Sequence, residues 1–151
     1  MKRTILVTIA GISALVLAFS GCGGGMSSMG TATSLYEQLG GKEAISKLAN
    51  NLVSSSMKDP RLSGLLGNVN PTTARSKVSD QMCSALGGGC QAPYSDQQVA
   101  SAANRLTPEQ KTAVSDNVTS SLNSVTSNPV VKETVTKALG SKMGGILGAV
   151  L

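Results

Sequence analysis

The sequence predicts an all-α fold, and three observations support this prediction. Apolar residues recur at spacings of three and four in successive segments, which is the period of an amphipathic helix. No segment alternates apolar and polar residues with period two over the length of a strand. Proline, glycine and short polar residues separate the segments at positions that are typical of helix ends. We therefore expect a domain built only of helices.

The first two helices are predicted between residues 34 and 57. Ser34 is expected to cap a short helix, because Glu37 follows three residues later as in a capping box. Gly40-Gly41 is expected to end this helix. The second helix is predicted from Lys42 to Met57, because its apolar residues fall at positions 45, 48, 49, 52 and 53.

A proline-marked segment follows the second helix. Asp59-Pro60 is expected to end that helix, since the residue before a proline disfavours the helical conformation. Leu62, Leu65 and Leu66 then form an apolar patch that we expect in a loop or a single turn. The next helix is predicted to begin at Asn70-Pro71, with the proline at the tolerated first position, and to end at the three glycines 87–89.

Three more helices are predicted in the second half of the chain. The first is short and runs from about Ser95 to Asn104. The second begins at Thr107-Pro108-Glu109-Gln110, which combines an N-cap, a first-turn proline and a glutamine able to return a hydrogen bond. The last begins at Asn128-Pro129 and carries apolar residues every four positions from 131 to 143.

The N-terminus is predicted to be a lipoprotein signal peptide covering residues 1–21. Lys2 and Arg3 form a short positive start, and Ile5 to Phe19 is an apolar run too short for a good membrane span. Phe19-Ser20-Gly21-Cys22 resembles a bacterial lipobox, which makes Cys22 the expected lipidated first residue of the mature protein. The alternative is an ordinary secretory signal followed by an incidental cysteine.

Processing would leave a tether and one domain in the cell envelope. Residues 22–33 are rich in glycine, serine and threonine and are expected to be a flexible tether to a domain at 34–151. Gly23 follows the cysteine, where an aspartate would suggest retention in the inner membrane. We therefore expect a protein attached to the membrane by its lipid, most simply on the outer membrane and facing the periplasm.

Composition excludes several classes of function. Without Lys2 and Arg3 the chain keeps 11 basic and 8 acidic residues, a net charge of +3, and the basic residues are scattered, which argues against nucleic-acid binding. The chain has no histidine, and no two acidic residues lie three or four positions apart on a predicted helix. The glycine runs at 23–25 and 87–89 are not followed by the Lys-Ser/Thr pair that ends a phosphate-binding loop. We therefore expect neither an enzyme nor a metal site.

Two cysteines remain after lipidation of Cys22. Cys83 and Cys90 are seven residues apart, and the three glycines between them allow the chain to turn back. An oxidising compartment and an even count favour a disulfide, and closing so short a loop would stabilise the fold by roughly 2–3 kcal/mol. Two reduced thiols are the alternative. A redox or metal role is less favoured, because no CxxC spacing accompanies the pair.

Two blocks of the sequence carry a family resemblance. One is residues 34–66, SLYEQLGGKEAISKLANNLVSSSMKDPRLSGLL, which joins S-L-Y-x-x-L-G-G to a helix, D-P-R-L and two large apolar residues. The other is residues 80–90, DQMCSALGGGC, which is similar to a D-Q-L-C-x-x-x-G-G-P-C segment. With the spacing to LTPEQ at residue 106 and the two final helices, the chain resembles the group 1 truncated haemoglobins over residues 34–151. The resemblance implies a two-over-two helical sandwich.

The resemblance also implies positions for a haem site. Truncated haemoglobins hold haem through a histidine on the iron, and bind oxygen or nitric oxide there. Counting forward from Cys90, the position of that histidine falls on Ser101. The family's remaining pocket positions fall on residues that are not aromatic: the Phe-Tyr pair on Leu52 and Val53, the Phe pair on Leu65 and Leu66, and the distal-helix positions on Lys77 and Gln81.

These replacements decide the expected function. Serine does not ligate haem iron at neutral pH, and no histidine is present to replace it. We therefore expect a truncated-globin-like protein without haem that acts as a non-enzymatic binding or interaction module. The alternative is a haem protein that uses an unusual ligand. Met57, Met82 and Met143 are candidates for that ligand, but methionine at helical spacing usually packs in the core.

The anchor prediction is tested by replacing one atom. Cys22→Ser removes the sulfur that would receive the lipid, so the variant should leave the membrane fraction, as measured by fractionation and immunoblotting. Intact mass must first show that the signal peptide has been removed, because an uncut leader would itself hold the chain at the membrane. A cleaved variant that stays in the membrane fraction would contradict the prediction.

Overall fold

The structure, a computed structural model, describes residues 33–150, with the side chain of Ser141 excepted. The predicted signal peptide, lipidated Cys22 and almost all of the tether lie outside these residues. Within them the chain forms seven α-helices and no strand, so the predicted all-α class is confirmed. The helices are α1 Leu35–Leu39, α2 Gly41–Lys58, α3 Pro60–Leu66, α4 Pro71–Ala85, α5 Asp96–Arg105, α6 Pro108–Val125 and α7 Pro129–Ala149.

Helix starts lie close to where the sequence predicts them. The Asn128 side chain accepts from the backbone N–H groups of Val130 and Val131 and so caps α7, just before its first-position proline. Thr107 and Gln110 form the expected reciprocal box at α6. At α1 only half of the expected box is formed: the Ser34 hydroxyl accepts from the backbone of Glu37. These caps satisfy amide groups that a helix start otherwise leaves unpaired.

The prediction of a loop or single turn at residues 62–66 is wrong, because Pro60–Leu66 forms the helix α3. Asp59-Pro60 ends α2 and at the same time begins α3. The Asp59 carboxylate accepts from the backbone N–H of Arg61, and Pro60 occupies the first helical turn, where its missing N–H costs nothing. Helix α3 buries Leu62 and Leu66 and leaves Leu65 partly exposed.

The long helices form the expected two-over-two sandwich. Helix α2 packs against α4, and α6 packs against α7. The two pairs meet through contacts of α2 with α6 and of α4 with α7, while α5 lies along α7. The core between them is aliphatic, and its largest fully buried side chains are Ile45, Leu48, Leu52, Met82, Leu122, Leu139, Met143 and Ile146.

A disulfide-closed turn ends α4 and holds α1. Cys83 and Cys90 form the predicted disulfide, with their Cα atoms 5.6 Å apart. Gly88, between them, lies against the ring of Tyr36, and a Cβ at this position would come within 2.6 Å of the Cys83 sulfur. The backbone N–H of Tyr36 donates to the carbonyl oxygen of Leu86 at 3.1 Å. The turn therefore fixes the position of the first helix of the domain.

A polar cluster ties the α2–α3 corner to α6. The Asp59 carboxylate accepts from the Arg61 guanidinium at 2.9 and 3.0 Å and from the Asn117 side-chain amide at 3.2 Å. Arg61 also reaches the Asp116 carboxylate at 3.2 Å. The Arg61 hydrogen bonds, with smaller help from Asn117, lower the pKa of Asp59 from 3.8 to about 2.

No helix in the part of the chain that the structure describes combines the length and the apolar character needed to cross a membrane.

The lowered pKa of Asp59 predicts how acid affects the domain. A carboxyl whose pKa is depressed by folding stabilises the folded state above its ordinary pKa, and this stabilisation is lost as the pH falls from about 4 to about 2. Asp59→Asn keeps a good helix cap but removes the charge. Thermal unfolding should therefore show a Tm difference between the natural chain and Asp59→Asn at pH near 5 that shrinks to a small fraction of this value near pH 2.

Asp96→Asn is the matched control, because the Asp96 side chain is 84% exposed beside Lys142. Its Tm difference from the natural chain should be small and vary little over the same range. A constant Tm gap for Asp59→Asn would contradict the role given to its carboxylate.

Candidate functional site

The resemblance predicts haem-site positions on α2, α3, α4 and α5. The most unusual feature of α5 is its contact with α7. Val99 and Ala102 of α5 are buried against Gly145 and Gly148 of α7. A Cβ at Gly145 would overlap the Val99 carbonyl oxygen, and one at Gly148 would lie 3.1 Å from the Ala102 carbonyl oxygen. The backbones of α5 and α7 therefore lie so close together that a side chain at either glycine position would collide with α5 or crowd it.

Ser101 lies on a different face of α5 and is exposed. It lines an open groove of about 360 Å³ together with Tyr94, Gln98, Arg105 and, from the end of α7, Ala149. The groove is polar along its α5 side, and nothing in it resembles the apolar wall of a haem pocket. The position predicted from the resemblance for the iron ligand thus holds a solvent-facing hydroxyl.

The two distal-helix positions both contact Tyr94, in the connection before α5. The Lys77 ammonium lies 5.4 Å from the centre of the Tyr94 ring, a cation–π distance. Gln81 is only 6% exposed, and its side-chain oxygen accepts from the Tyr94 backbone N–H at 3.0 Å. These residues of α4 thus hold the chain that leads into α5.

A second open groove lies on the other side of Tyr94, between α4, α5 and α7. It has a volume of about 470 Å³ and is lined by Gln81, Ser84, Ile146 and the ion pair of Lys142 with Asp96, whose charged atoms are 2.9 Å apart. Both grooves fall within the range of roughly 300–1,000 Å³ that is usual for small-molecule sites. Their linings are more polar than those of most such sites.

The remaining pocket positions belong to the packed interior. Leu52 and Val53 are fully buried in the core, Leu66 is buried and Leu65 is 37% exposed. The two α3 leucines border an apolar cavity with Leu106 of the α5–α6 connection. This cavity measures about 10 Å³, which is space for about one water molecule. In this conformation these positions enclose no space of haem size.

The other candidate ligands are packed or scattered. Met82 and Met143 are buried in the core, and Met57 is packed against it. Within residues 33–150 no three side chains of histidine, cysteine, aspartate or glutamate come together as a metal site. The described residues therefore fit haem poorly, because they offer neither an imidazole nor an aromatic wall.

Sequence reasoning missed two residues that shape this region. Gly145 fixes the distance between α5 and α7, yet a glycine inside a helical segment gives no sign of what it contacts. The signal available was the small-residue series Gly140, Gly144, Gly145 and Gly148 in the last helix. The contacts of Tyr94 with α4 depend on a loop conformation that has no sequence pattern.

Comparison with known proteins identifies similar folds among solved structures but no similar sequence family. The sequence matches no protein-family model and no curated protein sequence. The structure is similar to the truncated haemoglobin of Tetrahymena pyriformis in its Fe(III) form, with a TM-score of 0.63 and 19% identity over 70% of this chain and 91% of that one.

It is also similar to the 2/2 haemoglobin of a Synechococcus species in the cyanomet state with covalently attached haem. Here the TM-score is 0.65 and the identity 21%, over 76% of this chain and 98% of that one. The domain therefore has the truncated-globin fold.

The α5–α7 contact predicts opposite effects for two glycine substitutions in the same helix. Gly145→Ala forces a methyl group into the Val99 carbonyl and should lower the free energy of unfolding by about 1–3 kcal/mol. Gly140→Ala places its methyl group in open space and should raise it by about 0.5–1 kcal/mol. Urea unfolding of the two variants measures both, and equal effects would contradict the close packing of α5 on α7.

Proposed function

We propose that the chain is a lipid-anchored, group 1-like member of the truncated-globin family that has lost haem and acts as a non-enzymatic binding or interaction module in the cell envelope. The observation that carries the proposal is how α5 is oriented and packed. Its residue at the family's ligand position is an exposed serine, and its buried face is packed against glycines of α7.

The chemistry of haem retention supports this proposal. Haem is held by a strong axial ligand and by an apolar, water-excluding wall. This chain has no histidine, and its buried methionines lie in the core rather than on an open cavity. The iron-ligating histidine, the aromatic side chains and a haem-sized cavity are all missing from the described residues. Their combined loss is better explained by loss of the haem-binding function than by a single substitution.

The open grooves on either side of Tyr94 suggest where binding takes place. Each has the volume of a small-ligand site, and both face away from the closed core. The lipobox ending at Cys22 supports attachment to a membrane, most simply the outer membrane on its periplasmic side. The scattered positive charge gives no support for nucleic acid as a partner.

A second candidate is a haem protein that binds oxygen or nitric oxide through an unusual iron ligand. It is favoured by the structural neighbours, which are haemoglobins, one of them with covalently attached haem. Apolar residues still line the small cavity beside α3, so an opening of this cavity would let haem bind loosely by hydrophobic burial alone.

An absorption spectrum distinguishes the two candidates. The full-length protein, purified with haem supplied, should take up haem weakly and at less than one per chain, and should form no stable ferrous oxygen complex. One tightly held haem per chain with a sharp Soret band would overturn the haem-free proposal and establish the second candidate.

A restored histidine tests the assignment of the ligand position. Ser101→His places an imidazole in the groove beside Tyr94 and should tighten haem binding in the same titration. Ala100→His is the control, because this exposed neighbour is not part of the groove lining. Equal haem binding by both variants would mean that residue 101 is not the family's ligand position.

A further inference from the structure

A partly buried arginine on the opposite side of α4 has no acidic partner. Arg75 donates through Nη2 to the hydroxyl of Ser54 at 3.2 Å. Its Nε is buried and donates to no acceptor among the described residues, and its guanidinium forms no ion pair within them. A guanidinium without a carboxylate partner keeps its attraction for an anion, so Arg75 is a candidate anion-binding residue.

A groove of about 300 Å³ runs beside this guanidinium, between α2 and α4. From α2 it is lined by residues spaced four apart, which share one helix face: Lys42, Ser46 and Asn50. From α4 it is lined by Arg75, Ser76, Ser79 and Asp80. With two cationic side chains and one carboxylate, the lining has a net charge of +1, and its other members offer hydroxyl and amide groups.

We propose that this groove binds a phosphate oxyanion. A guanidinium offers paired N–H donors that match phosphate oxygens, and charge-assisted hydrogen bonds of this kind are stronger than neutral ones. The Lys42 ammonium supplies a second positive charge, and the serine hydroxyls donate to the remaining oxygens. Asp80 opposes the anion, and its presence limits the affinity.

The phosphate could be free in solution or belong to a lipid headgroup. The groove begins at Lys42, eight residues after Ser34, where the proposed tether joins the domain. The proposed lipid anchor would keep the domain within reach of lipid headgroups, so a headgroup phosphate is one source to test. The phosphate site itself is independent of the proposed loss of haem, because it lies on α2 and α4 and uses neither Ser101 nor the grooves beside Tyr94.

Calorimetric titration of the full-length protein in neutral detergent tests the proposal. Inorganic phosphate and the phosphodiester glycerophosphoglycerol are titrated separately, at constant ionic strength set with sodium chloride. Saturable binding of phosphate alone supports a free phosphate or monoester as ligand. Comparable binding of the diester supports a headgroup. Binding of neither probe overturns the proposal.

Variants locate the binding. Arg75→Gln should weaken the affinity by about tenfold or more, and Lys42→Gln should weaken it less. Asp80→Asn should strengthen it by about two- to fivefold, because it removes the opposing charge. Lys111→Gln removes the same charge from an exposed site on α6 and should leave the affinity unchanged.

Circular dichroism confirms that each variant is folded before titration. Lys42 and Asp80 are exposed, so their variants test the site even if Arg75→Gln is destabilised. Equal losses for Lys42→Gln and Lys111→Gln, together with no gain for Asp80→Asn, would show general charge attraction and overturn the proposal.

Discussion

The close approach of α5 to α7 is the constraint on which the rest of this region depends. Because Gly145 has no side chain, the Val99 carbonyl can rest on the α7 backbone, and the buried face of α5 completes the core. The orientation of α5 that buries Val99 and Ala102 also places Ser101 toward solvent. The burial of one face of α5 and the exposure of the predicted ligand position therefore follow from the same contact.

Residues of α4 stabilise this arrangement from the other side. Gln81 is buried and bonded to the Tyr94 backbone, and Lys77 lies over the Tyr94 ring. The resemblance predicted these two residues at the haem site; in the structure they hold the connection into α5. The disulfide between Cys83 and Cys90 shortens the same connection, so that little free chain remains between α4 and Tyr94.

Much of the fold could be predicted from local chemistry. An Asn-Pro or Thr-Pro pair begins a helix through hydrogen bonds within its first turn, so the signal is local in the sequence. The caps at Asn128 and Thr107 lie where the sequence predicts them. The sequence did not predict α3, because a proline that ends one helix can also begin the next. The choice between the two depends on contacts such as the hydrogen bond from Asn117 of α6 to Asp59, which the sequence does not reveal. The site was less predictable, because Gly145 contacts α5 and Tyr94 contacts α4, and neither contact has a local sequence pattern.

The aliphatic core that α5 completes has a thermodynamic consequence. A ligand that binds only the folded state raises stability in proportion to the logarithm of its concentration, so a domain that needs a cofactor to fill its interior becomes less stable when that cofactor is scarce. Here protein atoms from Val99, Ala102 and the α7 glycines supply the contacts. Under the haem-free proposal, the amount of folded protein should then follow synthesis and turnover, and should not change with the iron supply of the cell.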